Sequence, residues 1–145
     1  MRGFEIAKGY QNISLPSRKT ALSAGYDFYV SDDTLIKAGH KALIPTGVKA
    51  FMNSDEVLKI YLRSSIGLSK TLMLPNGVGV VDADYYNNPD NDGAIFVLIY
   101  NYGPDDITLL KGERIAQGIF EKYYTSEDET SPQISRFGGF GSTGK

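Results

Sequence analysis

The chain has 145 residues, with 15 basic and 17 acidic side chains, a formal charge of -2, no cysteine and one histidine. These counts exclude disulfides, zinc-thiolate sites and a cysteine nucleophile, leave histidine-based metal sites short of ligands, and give no basic footprint for nucleic acid or an anionic membrane. A chain of this length folds as one domain with a core of its own, and any anion site in it must be local. No apolar run approaches the ~18 residues of a membrane span, and the start, MRGFEIAKGY, lacks the apolar centre of a signal peptide. A soluble, cytoplasmic protein is expected, without nucleic-acid or membrane partners.

In chain order, short strand-like runs recur between turn signals, the pattern of an all-β sandwich or barrel. DFYV (27–30) runs into the polar turn SDD. His40 follows a Gly turn and reads as an ordinary strand-end residue. KALIPTGVKAFM (41–52) carries Pro45 and Gly47 and reads as an edge or bent strand. In EVLKIYLR (56–63), Leu58, Ile60 and Leu62 alternate with Lys59, Tyr61 and Arg63, which predicts one buried and one wet face. SSIGLSK (64–70) is the one hint of a helical turn. Asn76-Gly77 reads as a hairpin-type turn leading to Asp82 and Asp84-Tyr85. GAIFVLIYN (93–101) is continuously apolar, as a strand buried on both faces would be, and DITLLKGERIAQGIF (106–120) supplies two more strands. Residues 121–135 are polar, acidic and broken by Pro132, and read as a linker between the body and a Gly-rich tail.

Two motif-like stretches fail as motifs. From Gly139 the tail reads G-x-x-x-x-G-K, but the Ser or Thr required after Lys145 and the helix that a phosphate-binding loop opens are both missing. The closely spaced glycines and the hydroxyls of Ser142 and Thr143 still suit an oxyanion; the alternative is a frayed Gly/Ser end. NPDNDG, from Asn88, imitates the first half of a calcium loop, yet the bidentate glutamate needed at the twelfth position falls on Ile99. The other reading of NNPDNDG is a long polar hairpin tip. Carboxylates, hydroxyls, backbone amides or an oxygen-bound Mg²⁺ are left to carry any catalysis.

Five segments follow one another over nearly the whole chain: AGYDFYV, RSSIGL, NGVGVVDADYY, GERIAQGIF and RFGGFGSTGK. Together they resemble the trimeric deoxyuridine triphosphatase (dUTPase) family, in a bacterial and phage subgroup with an extended hairpin after the third segment. The resemblance implies an all-β, jelly-roll-like (β-clip) subunit with at most one short helix, in a homotrimer with shared sites. Residues 1–124 would form the catalytic body, 125–135 a linker and 136–145 a flexible lid arm. The implied reaction is hydrolysis of dUTP to dUMP and pyrophosphate with Mg²⁺, which limits uracil in DNA and supplies dUMP for thymidylate synthesis.

Residue by residue, the resemblance makes Asp82 the general base that holds the attacking water and places Tyr85 under the deoxyribose. Backbone groups around Asn76, Val80 and Val81 would pair with uracil. Arg63, Ser64 and Ser65 would grip the phosphates, with Gln117 assisting, and Asp27 would bond to water on a Mg²⁺ held by the phosphates. In the arm, Arg136 would meet the terminal phosphate, Phe140 would cover the uracil, and Gly141, Ser142 and Thr143 would wrap the phosphates. Glu113 and Arg114 read as a turn pair or interface residues. Two departures stand out: YNNPDND is inserted after Tyr85, and Arg136 lies closer to GFG than in the common form of the arm. Two rival readings are a dCTP deaminase-like or bifunctional enzyme, which needs a pocket glutamate, and a phage-type regulatory module whose nucleotide site is read by a protein regulator.

Overall fold

The structure, a computed structural model, describes residues 1–130 together with Ile134 and Arg136. Strands β1 (Gly3–Ile6), β2 (Tyr26–Tyr29), β3 (Thr34–Ile36), β4 (Lys41–Pro45), β5 (Val48–Phe51) and β6 (Glu56–Leu62) lead to one short helix, α1 (Ser64–Ser69). Then come β7 (Leu72–Met73), β8 (Gly79–Asp82), a 3-10 turn (Ala83–Tyr85), β9 (Phe96–Asn101), β10 (Ile107–Leu109) and β11 (Arg114–Lys122). All pairings are antiparallel, in sheets ordered β2-β11-β6-β8, β4-β9-β7, β1-β5 and β10-β3. The all-β jelly-roll class expected from the chain is the one found. No helix among the described residues is long and apolar enough to cross a membrane.

The sheets close on a core of Phe28, Val30, Ile36, Ile44, Leu58, Ile60, Val97, Ile99, Leu109 and Ile115, all buried. Each fully buried Leu or Ile contributes about 1.5–3 kcal/mol relative to exposure, so β6, β9 and β11 form a stiff frame. β6 matters most for the site because it pairs with β11 on one side and β8 on the other. Leu58 and Ile60 turn inward while Lys59 and Tyr61 are half-exposed, as the alternation predicts, whereas Leu62 at the strand end is only half-buried and Val57 is buried as well.

Four local expectations are corrected. The run 41–52 is two strands, not one bent strand: the chain turns at Thr46-Gly47, β4 pairing with β9 and β5 with β1. β9 is buried on one face only. Val97, Ile99 and Asn101 point inward, whereas Phe96, Leu98 and Tyr100 are half-covered, and Phe96 and Leu98 line an open pocket that needs apolar walls. Asn76-Gly77 does not close a hairpin. Its turn, held by Gly77 N–H to the Leu74 carbonyl at 3.0 Å, joins β7, paired with β9, to β8, paired with β6. Finally, Glu121 and Lys122 belong to β11, opposite Val57 and Glu56, so the polar segment starts after the strand.

Candidate active site

β8 is an edge strand. It pairs with β6 from Ile60↔Gly79 to Val57↔Asp82, and among the described residues no strand lies along its other side. An edge leaves a row of backbone donors and acceptors available to a planar partner. After Asp82 the chain tightens into the 3-10 turn, which sends Tyr85 into the body and leaves Asp82 and Asp84 at the surface, their side chains 51% and 56% exposed. A cavity of about 320 Å³ opens here, lined by Asn76, Val80, Val81, Asp82, Tyr85, Phe96, Leu98 and Arg136. That volume suits a small-molecule ligand with apolar walls and a few polar groups.

Tyr85 is 9% exposed and fixed at its oxygen, donating to the Ala94 carbonyl at 2.7 Å and accepting from Asn91 Nδ2 at 2.8 Å. Burial, the larger influence, pushes its phenol up, so the group stays protonated and can donate. Arg136 closes the cavity: its Nη2 meets Asp82 Oδ2 at 2.5 Å and its Nε meets Asp84 Oδ1 at 2.8 Å. Asp84, through that hydrogen bond, is the main influence holding the guanidinium above its usual range.

A second cluster forms where β2, β11 and α1 meet. Asp27 on β2 is 8% exposed and sits between two guanidiniums, Arg114 Nη1 at 3.1 Å from Oδ2 and Arg63 Nε at 3.7 Å from Oδ1. Ser64 and Ser65 follow Arg63 at the start of α1, both exposed. Gln117 lies opposite Asp27 in the β11–β2 ladder. It packs closely under Gly25, where a Cβ would lie 2.4 Å from Gln117 Oε1 and would displace the end of that side chain.

The structure therefore divides the residues expected to share one site. Asn76, Val80, Val81, Asp82, Tyr85 and Arg136 meet at β8, whereas Asp27, Arg63, Ser64, Ser65 and Gln117 meet at the other end of the sheet. Asp27 stands opposite Gln117, Gln117 opposite Tyr61, and Asp82 opposite Val57. That displacement, four residues along β6 and three strand spacings across, amounts to roughly 20 Å along the sheet. Phe140, Gly141, Ser142 and Thr143 lie outside the described residues. Sequence reasoning missed three participants. Asp84 is named only as a residue after Asp82, with no role; Arg114, read as a turn or interface residue, is Asp27's nearest cation. Asn91 was hidden in a polar insertion, and no local pattern marks it.

The charge at the second cluster bears on metal binding. Both oxygens of Asp27 face arginine, and no group of three or more His, Cys, Asp or Glu side chains among the described residues could form a metal cage. Among the described residues, therefore, no set of side chains fits a divalent ion held by protein alone.

Comparison with known proteins places the chain in a family. The dUTPase family model matches residues 11–144. The deoxyuridine 5′-triphosphate nucleotidohydrolase of Lactococcus lactis is 46% identical over 147 residues, covering 99% of this chain and 98% of that protein. The crystal structure of dUTPase from Streptococcus mutans superposes with a TM-score of 0.84 at 46% identity, covering 86% of this chain and 98% of the other. A dUTPase from phage phi11 of S. aureus, described with a structural Mg(II) ion, shares the fold at 17% identity with a TM-score of 0.75, covering 92% of this chain and 98% of that one. The chain belongs to the dUTPase family.

Proposed function

We infer that this protein is a dUTP diphosphatase, hydrolysing dUTP to dUMP and pyrophosphate; Asp82, set at the mouth of an apolar pocket beside an open strand edge, is the observation that carries the reading. Uracil pairs with backbone groups of β8 and the Asn76 turn, and the deoxyribose rests on the Tyr85 ring. Asp82 takes a proton from a water whose oxygen attacks the α-phosphorus. The bond from that phosphorus to the bridging oxygen breaks, and pyrophosphate leaves. A carboxylate works here by position, and general-base catalysis of this kind is worth about 10²–10⁴-fold. With nucleotide bound, Arg136 turns to the terminal phosphate and frees Asp82.

The phosphates need more donors than Arg136, the one cation among the described residues that line the β8 pocket. Residues acting on one phosphoryl group must lie within a few ångströms of it, and roughly 20 Å of sheet separates Asp82 from Asp27 in one chain. The reading is therefore a site shared between subunits, in the homotrimer that the dUTPase resemblance implies, with Arg63, Ser64, Ser65 and Gln117 of one subunit completing the pocket of the next. The arm, 136–145, arrives on the 125–135 linker from the body, 1–124. There Phe140 covers the base and Gly141, Ser142 and Thr143 wrap the phosphates. Asp27 would hold Mg²⁺ through water; the ion, when bound, neutralises charge on the triphosphate. Such chemistry suits the cytoplasm, where it limits uracil in DNA and supplies dUMP for thymidylate synthesis.

A deaminase of this fold needs a glutamate in the pocket, and among the described residues none lines it. The test is pyrophosphate release from dUTP, dCTP, dTTP and UTP. A site built to bond one pyrimidine edge rejects another by on the order of 10⁴-fold, so cytosine is excluded strongly. Comparable rates on all four would end the assignment.

A further inference from the structure

The insertion after Tyr85 is a built object. Asn87, Asp92 and Gly93 take left-handed backbone conformations, with φ of 56°, 61° and 80°. At Gly93 a Cβ would lie 2.6 Å from the Tyr85 carbonyl oxygen, so the loop folds directly onto the residue it follows. Side chains close turns inside it: Asn88 Oδ1 accepts from Asp90 N–H and Asn91 Oδ1 from Gly93 N–H, each at 3.0 Å. From outside, Lys49 on β5, 8% exposed, donates to Asn87 Oδ1 at 2.6 Å and Asp92 Oδ2 at 2.9 Å, and lies 4.9 Å from the centre of the Tyr86 ring. The Lys8 backbone N–H adds a bond to Asp92 at 2.8 Å.

The loop delivers two groups to one atom. Asn91 Nδ2 and the Ala94 carbonyl both bond the hydroxyl of Tyr85, whose side chain lines the cavity, although neither partner does. A phenol oxygen with one donor and one acceptor fixed in place has a single preferred ring position, whereas one partner alone lets the ring swing. We propose that the 86–92 insertion is a brace that sets the sugar specificity of the site, with Asn91 as a positioning residue acting through the Tyr85 hydroxyl to keep the ring where a 2′-hydroxyl cannot fit. The proposal rests on the dUTP-hydrolysing reading above and adds the residue that fixes its choice of deoxyribose.

The experiment compares kcat/KM for dUTP and UTP in wild type, Asn91→Ala, Tyr85→Phe and the double variant. Asn91→Ala is expected to reduce the dUTP preference by roughly three- to tenfold, the range of one hydrogen bond, mainly through KM and not kcat. In the Tyr85→Phe background, where the hydroxyl is gone, the same substitution should change the preference no further. A purely structural loss would add in both backgrounds, so an equal effect in the two overturns the brace, as does an unchanged preference in Asn91→Ala. Wild-type turnover of dUTP in the same assay separates the ideas: its absence sinks the functional reading and the brace together, its presence with an unmoved ratio sinks the brace alone.

Discussion

The two edges of the β2-β11-β6-β8 sheet carry opposite kinds of chemistry. At β8, two half-exposed carboxylates, Asp82 and Asp84, stand over a cavity with apolar walls. At β2, one buried carboxylate, Asp27, is held between Arg63 and Arg114 beside the exposed serines 64 and 65. In the proposed reading the first region orients a base and sugar and activates water, and among the described residues Arg136 is the one cation that lines it. In that reading the second receives oxyanions, and its one described carboxylate, Asp27, is engaged by arginine through both oxygens. Each is then half of a phosphate-ester site, and the sheet between them keeps Asp27 and Asp82 of one chain apart.

Removing a group from one half should therefore damage a different kinetic constant than removing one from the other. Asp82→Asn keeps the shape of the pocket and loses the base; kcat for dUTP should fall by about 10²–10⁴-fold while nucleotide binding persists, as read by steady-state kinetics and calorimetry. Arg63→Ala removes a charged donor to phosphate, worth about 1.5–3 kcal/mol, and should raise KM by roughly 10- to 100-fold with a smaller change in kcat. If both variants lost kcat alone, the division between chemistry and phosphate binding would be wrong.

The smallest effect concerns how firmly the first half is held. The bond from Lys8 N–H, then Lys49, keeps the Asp92 carboxyl below its usual range. A depressed folded-state value gives stability that is complete above the ordinary carboxylate range and is lost as pH falls through the folded value. Wild type should thus lose more thermal stability than Asp92→Asn between about pH 6 and about pH 3. Parallel losses by scanning calorimetry would mean that Asp92 does not pin the loop.

Legibility in the sequence followed the range of the interactions. The alternation of Leu58 and Ile60 with Lys59 and Tyr61 is a local property of a half-buried strand, and it predicts β6 correctly. Asp82, Tyr85, Arg63 and Asp27 could be named because each sits in a recognisable segment. What no local pattern contains is strand pairing. That β7 and β8 belong to different sheets, that β9 keeps one face for a cavity, and that Asp27 and Asp82 end far apart are all decided by partners distant in the chain. Asn91 shows the same limit at a single residue: its composition says turn, and only the folded loop shows that its amide reaches the Tyr85 hydroxyl.

The most direct trial of sites shared between subunits is to co-express Asp82→Asn and Arg63→Ala chains and assay the purified mixed oligomers on dUTP. Sites that join the β8 pocket of one chain to the Arg63 cluster of another will include some with both wild-type residues, and activity should rise well above that of either variant alone. Mixed oligomers no more active than the average of the two parents would show that each chain completes its own site, and the account of two half-sites would fail.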